Sequence, residues 1–275
     1  MVESATLPPI PGSDRPQEVA VLPESSELRG DGARPAVPPH PGRFVALEGG
    51  EGAGKSTQAH RLAESLQARG YEAVVTREPG ATPVGARIRR LLLDPDVELT
   101  DEAEALLYAA DRAEHVARVV RPALERGSVV ISDRYVDSSV AYQGYGRGLD
   151  PATVLRLSRW ATADLLPDLT VVLDLPVEDG MARARARGAA AGERTDRLEA
   201  EAREFHERIR AGFLQLVADD PARYAVVDAT GQPDDVAAAV LHAVEPTLPA
   251  ASAAVSGPGP AAGSPAGRAS GSMSS

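Results

Sequence analysis

Eight residues, Gly49-Gly50-Glu51-Gly52-Ala53-Gly54-Lys55-Ser56, constrain this chain more than any other stretch. They follow a short apolar run, Arg43-Phe44-Val45-Ala46-Leu47-Glu48, and lead through Thr57 into a helix-patterned segment over 55–69 that Gly70 ends. Strand, glycine-rich turn and helix in that order form a cradle. Successive backbone N–H groups and a helix N-terminus surround a phosphate there, and a compact ammonium reaches the β/γ-phosphates. Of the chain's 29 lysine and arginine residues, only Lys55 is lysine. Arginine served wherever a positive charge was merely useful, and its broad fork suits this cradle less well. The motif predicts that the chain binds a nucleoside triphosphate.

The rest of the pattern places that loop in an α/β fold. Strands are expected at 43–48, 73–76, 129–133, 169–175 and 224–228. Between them lie helices at 84–93, from 101 with Thr100 as N-cap, at 151–162, 177–187, 196–218 and 234–244. Pro122 is expected to kink or interrupt the third helix. Five strands alternating with helices predict the three-layer fold of P-loop NTPases: a five-stranded parallel sheet with helices on both faces. Ligands then sit beyond the carboxyl ends of the strands, at Glu48, Arg77, Asp133 and Asp174. Gly144-Tyr145-Gly146-Arg147-Gly148 follows no strand and reads as a flexible loop, not a second nucleotide motif.

This domain spans 42–247. Residues 1–41 are rich in Pro, Ser, Glu and Gly, and 248–275 are almost wholly Ala, Gly, Ser and Pro, so both ends are expected to be disordered. The balance of 29 basic against 40 acidic side chains argues against nucleic acid or an anionic membrane as the partner. With no cysteine, disulfides and thiolate metal sites are excluded, and no run approaches the length of a membrane span. The chain is expected to be cytoplasmic.

Phosphate loops serve motors, switches and kinases alike. A guanine-reading switch needs Asn-Lys-x-Asp, and this chain has no asparagine and no second lysine. Water-activating ATPases end an apolar strand with Asp-Glu, whereas here the strand ends Asp133-Arg134-Tyr135. An arginine at that point stabilises a second phosphate, which favours transfer between two phosphorylated molecules.

At this point the residues resemble the thymidylate kinase family. The likeness covers nearly all of 43–247. It rests on the loop with Phe44 and Glu48, on Thr76-Arg77-Glu78-Pro79-Gly80 with Ile88-Arg89-Arg90-Leu91-Leu92-Leu93, and on Leu107-Tyr108-Ala109-Ala110-Asp111-Arg112. Asp133-Arg134-Tyr135-x-x-Ser138-Ser139-x-Ala141-Tyr142-Gln143-Gly144 is the most specific block. Arg183-Ala184-Arg185-Ala186-Arg187-Gly188, then Asp196-Arg197-Leu198-Glu199, resembles the family's lid. The resemblance implies ATP + dTMP → ADP + dTDP, a homodimer packed through helices that include 101–126, and a set of roles. Gly49 to Thr57 hold the ATP phosphates, with Ser56 and Asp133 as Mg²⁺ ligands. Glu51 meets the acceptor sugar, with Glu199 as helper. Arg77, Arg89 and Arg134 take the acceptor phosphate bidentately, while Arg87 and Arg90 face solvent. Tyr108, where the family usually has Phe, stacks on the base. Arg112, four residues on and so on the same helix face, donates to its O4. Ser139 and Tyr142 line the pocket, Tyr142 favouring deoxyribose. The loop places Ser56, not arginine, after Lys55, so transfer charge falls to a lid arginine among Arg183, Arg187 and Arg197, with Arg194 drawn in if the insertion 189–195 shifts the register. A kinase for CMP, UMP or AMP, and a non-catalytic nucleotide-binding module, are the alternatives.

Overall fold

The computed structural model describes residues 40–192 and 195–248. The expectations for the two ends, apart from residues 40, 41 and 248, and the expectation for Arg194 lie outside them. Five parallel strands, β1 (Arg43–Glu48), β2 (Ala73–Arg77), β3 (Val129–Asp133), β4 (Leu169–Asp174) and β5 (Tyr224–Asp228), form one sheet in the order β2-β3-β1-β4-β5. The pleat sends successive side chains to opposite faces, so each strand seeds two cores. Val45 and Leu47 join Ile131, Val171 and Leu173 beneath α1 (Lys55–Gln67) and α9 (Pro233–Val244). Phe44 and Ala46 join Val130, Val116, Val120 and Leu124 on the other face. Burial on both faces explains why these strands read as nearly unbroken apolar runs.

Side-chain caps set the start of the next two helices. In α2 (Pro83–Leu93), Thr82 Oγ1 accepts from Gly85 N at 2.9 Å, and in α3 (Asp101–His115), Thr100 Oγ1 accepts from Ala103 N at 3.3 Å. Pro122 does not end its helix. A wide π turn, Val116–Val120, runs directly into α4 (Arg121–Glu125) and accommodates the missing N–H.

Two expectations are corrected. Residues 136–146 are helical, as α5 (Val136–Ser139) and a π-helical stretch Val140–Gly146, so 144–148 is no flexible loop. A Cβ on Gly146 would stand 2.8 Å from Phe205 Cε2; this glycine permits close helix packing rather than motion. After α6 (Pro151–Thr162) and α7 (Val177–Ala191), the helix expected from 196 begins only at Arg203, as α8 (Arg203–Asp219). Asp196 Oδ1 accepts from Leu198 N at 2.9 Å and Glu199 N at 2.8 Å, a local turn that competes with helix.

Candidate active site

With β1 between β3 and β4, the crossovers from β1 to β2 and from β3 to β4 run in opposite directions along the sheet, and a crevice opens past the carboxyl ends of β1, β2 and β3. There lies a cleft of about 460 Å³. Its floor is the turn after β1. Gly52, at φ +69°, brings its Cα so near the start of α7 that a Cβ would lie 2.1 Å from Gly180 O. The phosphate turn and the helix leading to the lid are therefore packed backbone to backbone. Lys55 folds back over the turn, Nζ donating to Gly50 O at 2.7 Å and Gly49 O at 3.1 Å. Burial, with repulsion from Arg134 next, brings its ammonium down to about 8. Gly52, Gly54, Lys55, Ser56 and Thr57 line the cleft, while Ala53 is buried behind them.

Opposite, β3 delivers Asp133 and Arg134. Ser56 Oγ donates to Asp133 Oδ2 at 2.5 Å, so a hydroxyl and a carboxylate from separate elements meet on the cleft wall. Arg134 is held at φ +70°, an uncommon conformation for a side chain of this size. Its N donates to Leu47 O at 3.0 Å, its carbonyl accepts from Ser132 Oγ at 2.7 Å, and Tyr135 N donates to Glu48 Oε1 at 2.8 Å. That geometry turns the guanidinium back onto Glu51, Gly49 O and the Tyr142 hydroxyl. Burial alone would raise the Glu51 carboxyl, but Arg134 and Lys55 outweigh it and hold it at about 2. Glu48, fully buried and beside Asp137, is pushed up to about 7.

Arg77 and Arg89 line the same cleft as Arg134, so three guanidinium groups from β2, α2 and the β3 turn share one cavity. Arg89 Nη1 is steadied by Pro79 O at 3.1 Å, and burial with the neighbouring Arg77 lowers its basicity. Arg87 and Arg90 are exposed, as expected. Tyr108, Ser139 and Tyr142 form the far wall, with Arg187 and Glu199 at the rim, joined Nη2 to Oε1 at 2.8 Å.

Three expected residues sit elsewhere. Arg183 donates to Ala229 O at 3.0 Å and Thr230 O at 3.4 Å, away from the cleft. Arg197 donates through Nε to Leu92 O at 3.0 Å and pairs with Glu104 at 2.5 Å, tying its turn to α2 and α3. Of the three lid candidates, only Arg187 faces the cleft. Arg112 lies behind the wall, 1% exposed. Its guanidinium bonds Glu78 Oε2 at 2.7 Å, Tyr135 O at 3.0 Å, and Ser139 Oγ and Ser158 Oγ both at 3.1 Å. The residue is thus a buried strut as well as a neighbour of the site.

Gln143 escaped sequence reasoning. It lines the cleft one residue after Tyr142, and its Nε2 donates to Glu104 Oε1 at 2.8 Å. An ionised carboxylate only accepts, so that contact fixes which end of the amide is left as acceptor.

Among the described residues, no group of three or more His, Cys, Asp or Glu side chains gathers around a metal position, and no helix is long and apolar enough to cross a membrane.

Comparison with known proteins gives this geometry its context. The thymidylate kinase family model matches residues 47–240. A thymidylate kinase of Clavibacter sepedonicus is 57% identical over 212 residues, covering 77% of this chain and 98% of that protein. One from Leifsonia xyli subsp. xyli is 56% identical over 200 residues, covering 73% and 93%. Among solved structures, the thymidylate kinase of Ehrlichia chaffeensis aligns with a TM-score of 0.59 at 31% identity, covering 74% of this chain and 98% of that one. The turn 49–57 and the cleft arginines Arg77, Arg89 and Arg134 all lie within the residues that the family model matches. The chain belongs to the thymidylate kinase family and is an enzyme that phosphorylates dTMP to dTDP.

Proposed function

We propose that ATP donates the phosphoryl group and that the cleft residues divide into donor, acceptor and base sides. A phosphate oxygen of dTMP attacks the γ-phosphorus of ATP, and the bond to the bridging oxygen of departing ADP breaks, with no covalent enzyme intermediate. The observation that carries this reading is the shared cavity of Lys55, Ser56 and Asp133 with Arg77, Arg89 and Arg134. The turn 49–57 holds the donor phosphates and the three arginines hold the acceptor phosphate. Positioning and charge compensation then supply most of the rate. Arg187 is the rim arginine placed to meet charge developing on the transferred group. Glu51, kept ionised by Arg134, accepts from the acceptor sugar, and the Tyr142 ring crowds the position of a ribose 2′-hydroxyl.

Ser56 and Asp133 fit Mg²⁺. They are hard oxygen donors brought within 2.5 Å of each other, and two protein ligands suffice for an ion that keeps several waters and binds phosphates. When bound, Mg²⁺ would neutralise phosphate charge and orient the donor oxygens.

On the base side, Tyr108 provides the stacking surface and Gln143 Oε1 accepts from the pyrimidine N3–H. Arg112 uses four of its five N–H groups on the protein, leaving one on Nη1 for O4. Cytosine would oppose an acceptor N3 to Oε1 and an amine to the arginine, so dCMP is disfavoured. The functional unit we propose is a cytoplasmic homodimer. Exposed Leu106 on α3 and Trp160 on α6, two helices packed on each other, offer the apolar face.

An ADP-release assay against dTMP, dUMP, dCMP, CMP, UMP and AMP tests the assignment. Highest kcat/KM with dTMP is expected; equal rates with dCMP or a preference for AMP would overturn the base-side reading.

A further inference from the structure

Glu104 lies in the first turn of α3 and is fully buried, and the phosphoryl-transfer roles above leave it unused. Its carboxylate gathers three groups from two separate parts of the chain, the π-helical stretch with its C-cap Arg147 and the turn after α7. Gln143 Nε2 lies at 2.8 Å on Oε1, Arg147 Nη2 at 3.2 Å on Oε2, and Arg197 Nη2 at 2.5 Å on Oε2. Gln143 is part of the cleft wall, and Arg197 belongs to the turn that follows α7 and carries Glu199.

We propose that Glu104 is a positioning residue for base selection: its charge pins the Gln143 amide with Oε1 toward the pyrimidine, and Arg197 makes that orientation depend on a docked lid turn. The inference rests on the reading of Gln143 as the N3–H acceptor. An amide is symmetric in shape, and its two ends differ only in what they can donate or accept. Held by a neutral partner able to do both, Gln143 would present either end, and its selectivity would vanish. A buried carboxylate accepts from every neighbour and so leaves no choice. Burial would raise this carboxyl, but the Gln143 bond and the two arginines keep it below its ordinary range, so it stays ionised under assay conditions. Arg147 also pairs with Glu201, whose backbone follows the same turn, so the charge is enclosed from both sides. A hub of this kind orders base wall and lid turn together, since opening the turn removes one of the two cations that keep Glu104 charged.

The test is a double-mutant cycle on the full chain, reading the dTMP-to-dCMP ratio of kcat/KM for wild type, Glu104→Gln, Gln143→Met and the pair. Glu104→Gln is expected to lower the ratio at least tenfold. In the Gln143→Met background, where selectivity is already reduced, it should change the ratio by less than about threefold, the non-additivity of coupled neighbours. A Glu104→Gln variant that slows both substrates in parallel, while Gln143→Met lowers the ratio, would overturn the coupling and leave Glu104 a buried strut. A Gln143→Met variant with an unchanged ratio would overturn the base-side reading and this inference with it. Should Glu104→Gln not fold, the charge-balanced Glu104→Gln/Arg197→Met pair carries the same expectation and the same refutation.

Discussion

Arg134 and Glu51 form an ion pair across the mouth of the phosphate turn, and the Tyr142 hydroxyl bonds both, at 2.9 Å from Arg134 Nη2 and 3.0 Å from Glu51 Oε1. Three residues before Glu51, Glu48 is buried beneath the same arginine's backbone. The two carboxyls are driven apart, Glu51 to about 2 and Glu48 to about 7, from a common starting value of 4.5.

Opposite shifts give opposite pH dependence of stability. Glu51 stabilises the fold above about pH 4.5, and that contribution is lost as pH falls through about 2. Glu48 binds its proton more tightly folded than unfolded, so its effect on stability declines as pH rises from 4.5 to about 7. Glu48→Gln keeps one oxygen to accept from Tyr135 N and Ser138 N, so the variant should fold. Its urea-unfolding free energy should vary less than wild type over that window. Identical slopes for the two proteins would show that Glu48 does not titrate there.

Lys55→Ala should abolish most turnover without loss of fold. One charge-stabilising donor in a dry site contributes about 3–4 kcal/mol to the transition state, a rate loss of roughly 10²–10³. The lysine's own ionisation is disfavoured by burial and by Arg134, so at neutral pH its charge costs the ligand-free protein stability that returns as pH rises above about 8. The melting temperature of the variant should therefore equal or exceed that of wild type. A variant that melts much earlier would mean that the lysine is a structural element.

The sheet and its phosphate turn were legible because burial on both faces writes itself into a strand as an unbroken apolar run. Val129-Val130-Ile131 needs no partner to be read. The segment 136–146 was not legible. Its two helical pieces are short, it carries two glycines that serve close packing against Phe205 and Pro151, and it has no polar face to set a period. Gln143 was hidden for the same reason. Spacing puts Tyr108 and Arg112 on one side of α3, but spacing cannot reveal Glu78, 34 positions earlier, which occupies Arg112 Nε. Nor can it rank Arg183, Arg187 and Arg197. Their separation comes from which carbonyls and carboxylates the end of α2, the start of α3 and the turns after α7 and β5 present.

Arg112→Ala should now be read first as a stability variant. It leaves Glu78, 4% exposed, with His115 as its remaining hydrogen-bonded partner, and frees Ser139 on the cleft wall. Breaking a buried pair by removing one partner costs about 3–5 kcal/mol. At about 2–4 °C per kcal/mol for a domain of this size, the melting temperature should fall by roughly 6–20 °C. KM for dTMP should rise as well. A shift below 2 °C in differential scanning fluorimetry would mean that the Glu78 network contributes little.

The lid arginines supply the last contrast. Arg187 lies on the cleft rim and is half-exposed, with Glu199 as its partner, so it can swing toward a bound phosphate at the cost of one surface ion pair. Arg183 is fastened to Ala229 O and Thr230 O, and moving it would strip two carbonyls of their donors. Arg197 is committed to Leu92 O and Glu104. At saturating ATP and dTMP, Arg187→Ala should lower kcat by roughly 10²–10³, the scale of one lost charge-stabilising donor. Arg183→Ala should stay within about threefold of wild type, and Arg197→Ala should act mainly on KM for dTMP through the turn it holds. The KM-against-kcat split separates these roles, because an interaction made only in the transition state changes kcat whereas a positioning contact on bound substrate changes KM. If Arg183→Ala collapses kcat while Arg187→Ala turns over normally, the lid must close with a different helix register, and the catalytic charge comes from the inner face of α7.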